Sequence, residues 1–492
     1  MSLSSLRESR PVRIPDLSRE PPSPATVGGA AAGESPPRRI GVATATLLVV
    51  ASMVGTGVFT TTGLLVRDLG SPSAVLVAWL VGGLLALCGA LSYSELAAAI
   101  PRNGGEYSIL SRVFHPSVGF VAGFISLVVG FSAPLAASAL AFGQYLSALG
   151  LGIDPHVAAV GLVLALSALH ALHVRMGTGL QNVLTAANVT LIVGIIVAGL
   201  WLGNSSHIAS ESAVPLRQAI FSPAFAIGLV FVSFSYSGWN GAAYLAGELR
   251  KPARTLPIAL VAGTLCVVVL FLGLNVVFLS AAPHGELSGV VEVGHVAAIR
   301  LFGPKAGALL TGIIALALVS SSSAMTMSGP RVYQAMGQNC PRLGLLRYRT
   351  RGGGPAVAVM LQALVALIMV VTATFEVLLT YIGFTLSLVA GLTVLGVLVH
   401  RYREPNLPRP YRAWGYPATP LLFVALSAWM ILHALAERPA VALAGIGTVA
   451  AGIVLYLLTG RSLAAPAEAA PSRVEALSEA GSEPVTRGAR GG

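Results

Sequence analysis

Residues Phe221 to Glu248 read FSPAFAIGLVFVSFSYSGWNGAAYLAGE. Both ends are apolar enough to enter a bilayer. The middle, Ser233-Phe234-Ser235-Tyr236-Ser237-Gly238-Trp239-Asn240-Gly241, is instead crowded with hydroxyls, an amide and two glycines. About 20 apolar residues cross a membrane as one helix, so these 28 exceed what a plain span needs and the weak centre predicts an opened helix. Opened backbone leaves N–H and C=O groups that are costly in hydrocarbon unless protein, water or a ligand satisfies them. The interruption is therefore tolerable only at a cavity, and the stretch reads as half of a solute site.

Ile40 to Val66 supplies the other half. It is also apolar and over-long at 27 residues, with Gly55-Thr56-Gly57 placed much as Gly238 is placed in the later span. A single glycine in a membrane helix is ordinary packing. Two glycine-interrupted spans at corresponding depths in two halves of a chain point to the binding site of a secondary transporter.

Composition sets the class. With 55% hydrophobic and 10% charged residues over 492 positions, the chain is an all-α polytopic membrane protein rather than a soluble domain. Cys88, Cys266 and Cys340 are far apart and form no CxxC pair, so neither a disulfide framework nor a metal site is expected. No cofactor motif occurs. The net charge of +11 comes from arginines spread through loops, which fits the positive-inside rule and implies no nucleic-acid partner.

Residues 1–39 and 461–492 read as disordered cytoplasmic tails, the first of them basic. Between them hydropathy predicts twelve spans, near 40–66, 72–98, 117–149, 156–174, 181–203, 221–247, 255–282, 304–328, 355–374, 377–400, 415–436 and 439–459. Pro134 is expected to kink the third. Alternating sides from a cytoplasmic start puts 25 of the 30 Lys and Arg inside, a split that one miscounted span would scramble. Both termini are thus expected in the cytoplasm, with the chain in the plasma (inner) membrane. Residues 40–203 and 221–400 each hold five spans beginning with an interrupted one, so the second set enters from the opposite side, a 5+5 inverted repeat. Helices 11 and 12, in 401–460, are appended.

A half-helix starting inside the membrane exposes free N–H groups and the positive end of its dipole, which suit a carboxylate; one ending there exposes carbonyls, which suit an ammonium group. An α-amino acid carries both. Val54, Gly55, Thr56 and Gly57 are the candidates for its carboxylate, the glycines letting backbone approach closely. The opened segment Phe234, Ser235, Tyr236, Ser237 and Gly238 is the candidate for its amino group. Phe234, Tyr236 and Trp239 fall mid-span and are expected to close over the solute or line its side-chain pocket. No Asp or Glu falls in the middle third of any span, so a neutral substrate is expected.

At YSGWNGAAYLAGELRKPARTLPIAL (Tyr236 to Leu260) the sequence resembles the amino acid, polyamine and organocation transporter superfamily, and most of all its L-type amino acid transporter branch and bacterial permeases. MVGTGVF (Met53 to Phe59), YSELAAAIPRNGGEY (Tyr93 to Tyr107), GPRVYQAMGQN (Gly329 to Asn339) and YREPNLPRPYRAWGYPATP (Tyr402 to Pro420) agree in order. The resemblance implies a leucine-transporter-like fold of twelve helices and amino acid transport by exchange or cation-linked uptake. It puts Phe234 at the gate. One departure stands out: Asn188 occupies a fifth-span position where many relatives carry lysine. A buried lysine can titrate near neutrality and asparagine cannot, so Asn188 is either a coupling-related residue or an interhelical hydrogen bond. In the run Ser320 to Ser323, Ser321 and Ser322 are further coupling candidates, their hydroxyls suited either to Na⁺ or to binding helices together.

The alternatives are a non-transporting amino acid receptor on the same fold, a polyamine or cationic amino acid antiporter, and a membrane enzyme. The last would need HExxH, GxSxG or paired intramembrane carboxylates, and none is present. GxxxxGK[ST] is absent as well, which excludes a P-loop ATP drive. The sequence carries no signature of oligomeric state.

Overall fold

In the computed structural model the described residues are 40–459, apart from 102–103, 173, 204–206, 209–212 and 351–353. The two tails read as disordered, 1–39 and 461–492, lie outside them. The described chain is helical, apart from turns and one parallel bridge between Ile40 and Leu249.

The first apolar stretch is split into α1 (Val42–Met53) and α2 (Gly57–Leu69), bent by 43° across the break. Helix α2 stops at Gly70, whose φ of 58° suits a residue without Cβ, and α3 (Pro72–Ala99) starts at once. Ser71 caps it by accepting from the Ala74 N–H, and Pro72 needs no partner in the first turn. A short helix α4 (Glu106–Val113) then leads into α5 (Pro116–Ile125).

The third stretch is one apolar helix from Pro116 to Ala148 with a π-helical segment, Ser126–Ser132, ahead of α6 (Ala133–Ala148). Pro134 has no N–H for the carbonyl one turn back, and the wider turn absorbs the misfit. Within this segment the Leu127 carbonyl takes hydrogen bonds from the Ser132 hydroxyl (2.8 Å) and the Tyr333 hydroxyl (3.2 Å). At the expected kink the chain thus forms a π-helical segment just ahead of Pro134.

Beyond α7 (Pro155–Leu172), α8 (Val174–Leu202) and the short α9 (Leu216–Ile220), the sixth stretch begins as α10 (Pro223–Ser235). It opens at Tyr236 to Asn240 and resumes as a 3₁₀ helix, Gly241–Glu248. Next come α11 (Pro252–Ala281), the short α12 (His284–Leu287) and α13 (Val293–Asn339). In α13 Gly303 (φ 78°) breaks the helical path just before Pro304. The eighth span, expected to end near 328, continues to Asn339 because Pro330 is tolerated inside it. The remaining helices are α14 (Ala356–Thr372), α15 (Phe375–Arg403), α16 (Ala418–Glu437) and α17 (Pro439–Thr459).

Among the described residues eight helices are long and apolar enough to cross a membrane, nine with the bent pair α1/α2. Shorter apolar helices are Ala186–Leu202, Pro223–Ser235 and Ala356–Thr372. The protein is a polytopic membrane protein. Large apolar side chains such as Trp201, Phe221, Leu309 and Val371 point outward, which suits a lipid surround. In the interior α11 lies along α1 and α3, α10 against α2, and α16 and α17 flank α15.

Candidate functional site

The two breaks meet. Gly238 (φ 99°) lies so close to α1 that a Cβ there would stand 2.4 Å from the Ser52 carbonyl oxygen. Gly57, at the start of α2, is equally tight against Ser235 at the end of α10: a Cβ would lie 2.4 Å from its Oγ and 2.5 Å from its Cα. Each break therefore seats against the other span through a glycine. Hydroxyls tie the crossing together. Thr61 and Ser235 share a hydrogen bond of 2.9 Å, and the Thr60 hydroxyl returns to the Thr56 carbonyl at 2.9 Å.

At this crossing lies a small cavity of about 20 Å³. Gly55, Thr56, Gly57, Phe234, Ser235 and Ser237 line it, joined by Ser52 and Met53 from the end of α1, Pro134 from α6, and Ser321 and Met325 from α13. None of these side chains is ionisable. The wall offers hydroxyls, main chain and two thioethers, which is the chemistry of a small, polar, neutral or zwitterionic solute.

Four expected site residues lie elsewhere. Val54 is buried within the break itself. Gly238 faces the Ser52 backbone. Tyr236 packs edge-on to Trp79 and against Phe271, and its hydroxyl donates to the Trp79 carbonyl at 3.1 Å. Trp239 is wedged between Tyr93, with ring centroids 4.6 Å apart, and Phe423, against a bare Gly89. Tyr236 and Trp239 fill core space because the opened segment turns them back onto α3. Trp239→Ala is thus expected to lower stability by the ~3–5 kcal/mol of an emptied aromatic core site and to leave the ranking of substrates unchanged. Thermal unfolding in detergent beside a transport panel checks both; a re-ranked panel would return Trp239 to the solute.

Of the coupling candidates, Ser321 reaches the cavity. Ser322 is fully buried with no partner for its hydroxyl among the described residues, and Ser323 bonds the His170 imidazole at 3.0 Å. Asn188 is buried and donates to the Ala317 carbonyl on α13 at 3.4 Å, away from the cavity. Sequence reasoning missed Ser52, Met53, Pro134 and Met325 as lining residues. The first two adjoin the first break and could have been included on that ground; Met325 had no sequence signal.

The α2 side of the crossing is held by main-chain and ionic contacts. The Tyr145 hydroxyl donates to the Phe59 carbonyl (2.7 Å) and accepts from the Gly294 N–H (3.0 Å), and the Gly289 N–H donates to the Gly63 carbonyl (2.8 Å). Arg67 forms a two-pronged pair with Glu376 at 3.0 and 3.1 Å, which Arg438 joins at 2.7 Å.

Two broken helices crossing at an uncharged cavity inside a polytopic bundle define a membrane transporter of small solutes rather than an enzyme. The chain belongs to the amino acid permease family, whose sequence profile matches residues 40–460. It is 28% identical over 404 residues to the serine/threonine exchanger SteT of Bacillus subtilis, covering 80% of this chain and 90% of the relative. It is 27% identical over 414 residues to the human b(0,+)-type amino acid transporter 1, covering 82% and 83%. With the mouse large neutral amino acids transporter small subunit 2 it shares 26% over 455 residues, 90% of this chain and 85% of the relative.

Proposed function

We propose that the protein is a secondary-active exchanger of small to medium neutral L-amino acids, working by alternating access. The observation that carries this reading is the cavity wall: main chain from both breaks, hydroxyls and thioethers, without a fixed charge. A cationic or acidic side chain would be stranded there without a counter-charge. The amino acid carboxylate meets the N–H groups at Gly55, Thr56 and Gly57, its ammonium group meets the carbonyls around Phe234, Ser235 and Ser237, and Phe234 closes over it. Ser321 and Met325 bound the side-chain end.

The architecture that goes with this function has twelve spans. The eight long helices, the bent pair and the three shorter apolar helices speak for that number. Two inverted halves, 40–203 and 221–400, would each open with a broken helix, with both termini cytoplasmic in the cell membrane. Exchange is favoured over proton-linked uptake because Asn188 cannot titrate, and one bacterial relative is a serine/threonine exchanger.

Purified protein in liposomes tests this. Neutral amino acids inside are expected to accelerate uptake of labelled neutral amino acids, with no effect of external Na⁺ or of a pH gradient, and with lysine, arginine and glutamate inert. Tight binding without flux would make the protein a receptor; uptake of lysine or a polyamine would overturn the neutral assignment.

A further inference from the structure

Among the titratable groups outside the cavity, Glu106 stands apart. It is the first residue of α4, only 6% exposed, and among the described residues no basic side chain pairs with it. Its carboxylate is instead surrounded by neutral donors. The Tyr93 hydroxyl, from α3, donates to Oε1 at 3.1 Å, and the Asn240 amide donates to the same oxygen. The Tyr244 hydroxyl donates to Oε2. Asn240 is the last residue of the opened segment, and Tyr244 lies in the 3₁₀ helix that follows it.

The elbow before Glu106 grips the same segment. The Gly104 N–H donates to the Tyr244 carbonyl at 3.2 Å, and Gly105 (φ 54°) leaves room for the Tyr244 ring, which a Cβ would meet at 2.5 Å. The nearby Glu95 differs. It is tied by Arg401 to the end of α15 and by the Ala413 N–H to the loop that follows, far in sequence from the broken helix. Of these two carboxylates, Glu106 is the one whose hydrogen bonds join the 104–106 elbow and α3 to the sixth stretch.

We infer that Glu106 is the cytoplasmic latch of the transport cycle, a positioning residue whose anionic carboxylate holds the 3₁₀ half of the sixth stretch closed under the cavity. The inference rests on the alternating-access reading. Hydrogen bonds to an ionised acceptor are the strong ones, and here three of them converge on one group, two from the segment that has to move. A carboxylate with no cation of its own can release those donors to water without leaving a buried positive charge behind. Opening then replaces Asn240 and Tyr244 by solvent.

Solvent access from the cytoplasmic face reads the latch. In protein with Cys88, Cys266 and Cys340 replaced, a Ser52→Cys reporter in the cavity wall is labelled by a membrane-impermeant maleimide in inside-out vesicles. Glu106→Ala is expected to raise the labelling rate about tenfold and Tyr244→Phe a few-fold, as each loosens the closed state. Glu106→Gln, which keeps the shape and one acceptor oxygen, is expected to fall between wild type and alanine. Combined with Tyr244→Phe it should give less than the product of the single effects, because both act on one contact. Unchanged labelling in Glu106→Ala, or a strictly multiplicative double variant, would overturn the latch. Should Glu106→Ala fail to fold, Tyr244→Phe keeps the ring against Gly105 and decides alone, with unchanged labelling counting against the latch. If saturating substrate leaves wild-type labelling unaltered, alternating access itself fails; if it alters it while the Glu106 and Tyr244 variants do not, only the latch fails.

Discussion

Gly57→Ala is expected to reduce amino acid binding and transport by a factor of up to about 100, because overpacking a tight core contact costs up to ~3 kcal/mol and 1.4 kcal/mol is tenfold. The added carbon would lie 2.5 Å from the Ser235 Cα, so the start of α2 and the end of α10 must separate. Trimming Ser235 does not help, since the clash is with backbone. Gly55 makes a contrast on the same loop. A Cβ there meets the Ser321 Oγ at 3.0 Å, with the Ser321 Cβ at 4.0 Å. Gly55→Ala is therefore expected to lose several-fold, and Ser321→Ala to restore part of that loss. Equilibrium binding on purified protein checks both. Equal losses at the two glycines, or rescue of Gly57→Ala by Ser235→Gly, would show that the crossing is not the constraint.

The second large effect lies at the C-terminal end of α15. Glu95 is 1% exposed and accepts two bonds from Arg401, at 2.8 and 2.7 Å, and one from the Ala413 N–H at 2.7 Å. The Arg401 guanidinium in turn lies 3.6 Å over the Tyr416 ring, and Arg409 binds the carbonyls of His400 and Glu404 at 3.2 and 2.6 Å. This network folds the loop between α15 and α16 against α3. Arg401→Ala leaves a carboxylate buried without its main partner, which costs about 3–5 kcal/mol. The expected result is a marked fall in thermal stability and in recovered protein. Arg401→Lys keeps the charge but loses the two-pronged geometry, and should fall between. Replacing both partners, Glu95→Gln with Arg401→Gln, should cost less than Arg401→Ala alone, since no carboxylate is then left short of its main partner, while Arg409, 3.7 Å from Glu95, keeps its bonds to the His400 and Glu404 carbonyls. If the double variant is the less stable, the unpaired-charge explanation is wrong. Melting of each variant in detergent ranks them.

Of the site, what the sequence made legible was backbone. Gly55-Thr56-Gly57 and the polar centre of the sixth stretch were readable as weak points because glycine and hydroxyl residues in an over-long apolar run have few other uses in a bilayer. Side-chain direction was not readable. Phe234 and Trp239 looked equivalent at sequence level, both aromatic and both mid-span, yet one lines the cavity and the other fills the gap beside Gly89. Once the helix opens at Tyr236, its periodicity no longer tells which way a residue points. Pro134 shows the same limit: a kink could be expected, but not the π-helical segment nor its place in the cavity wall.

The sequence by itself determined that the chain crosses a membrane repeatedly and that two crossings are interrupted, because the cost of burying polar backbone in lipid acts on composition and local order alone. It also determined the family, through motifs spread over residues 40–460. Only the tertiary structure decided which side chains surround the cavity and which carboxylates bind helices together. Met325, Glu95 and Glu106 owe their roles to partners distant in sequence, Arg401 in one case and Tyr244 in another. A contact between residues hundreds of positions apart is fixed by how the helices pack, and no local pattern encodes it.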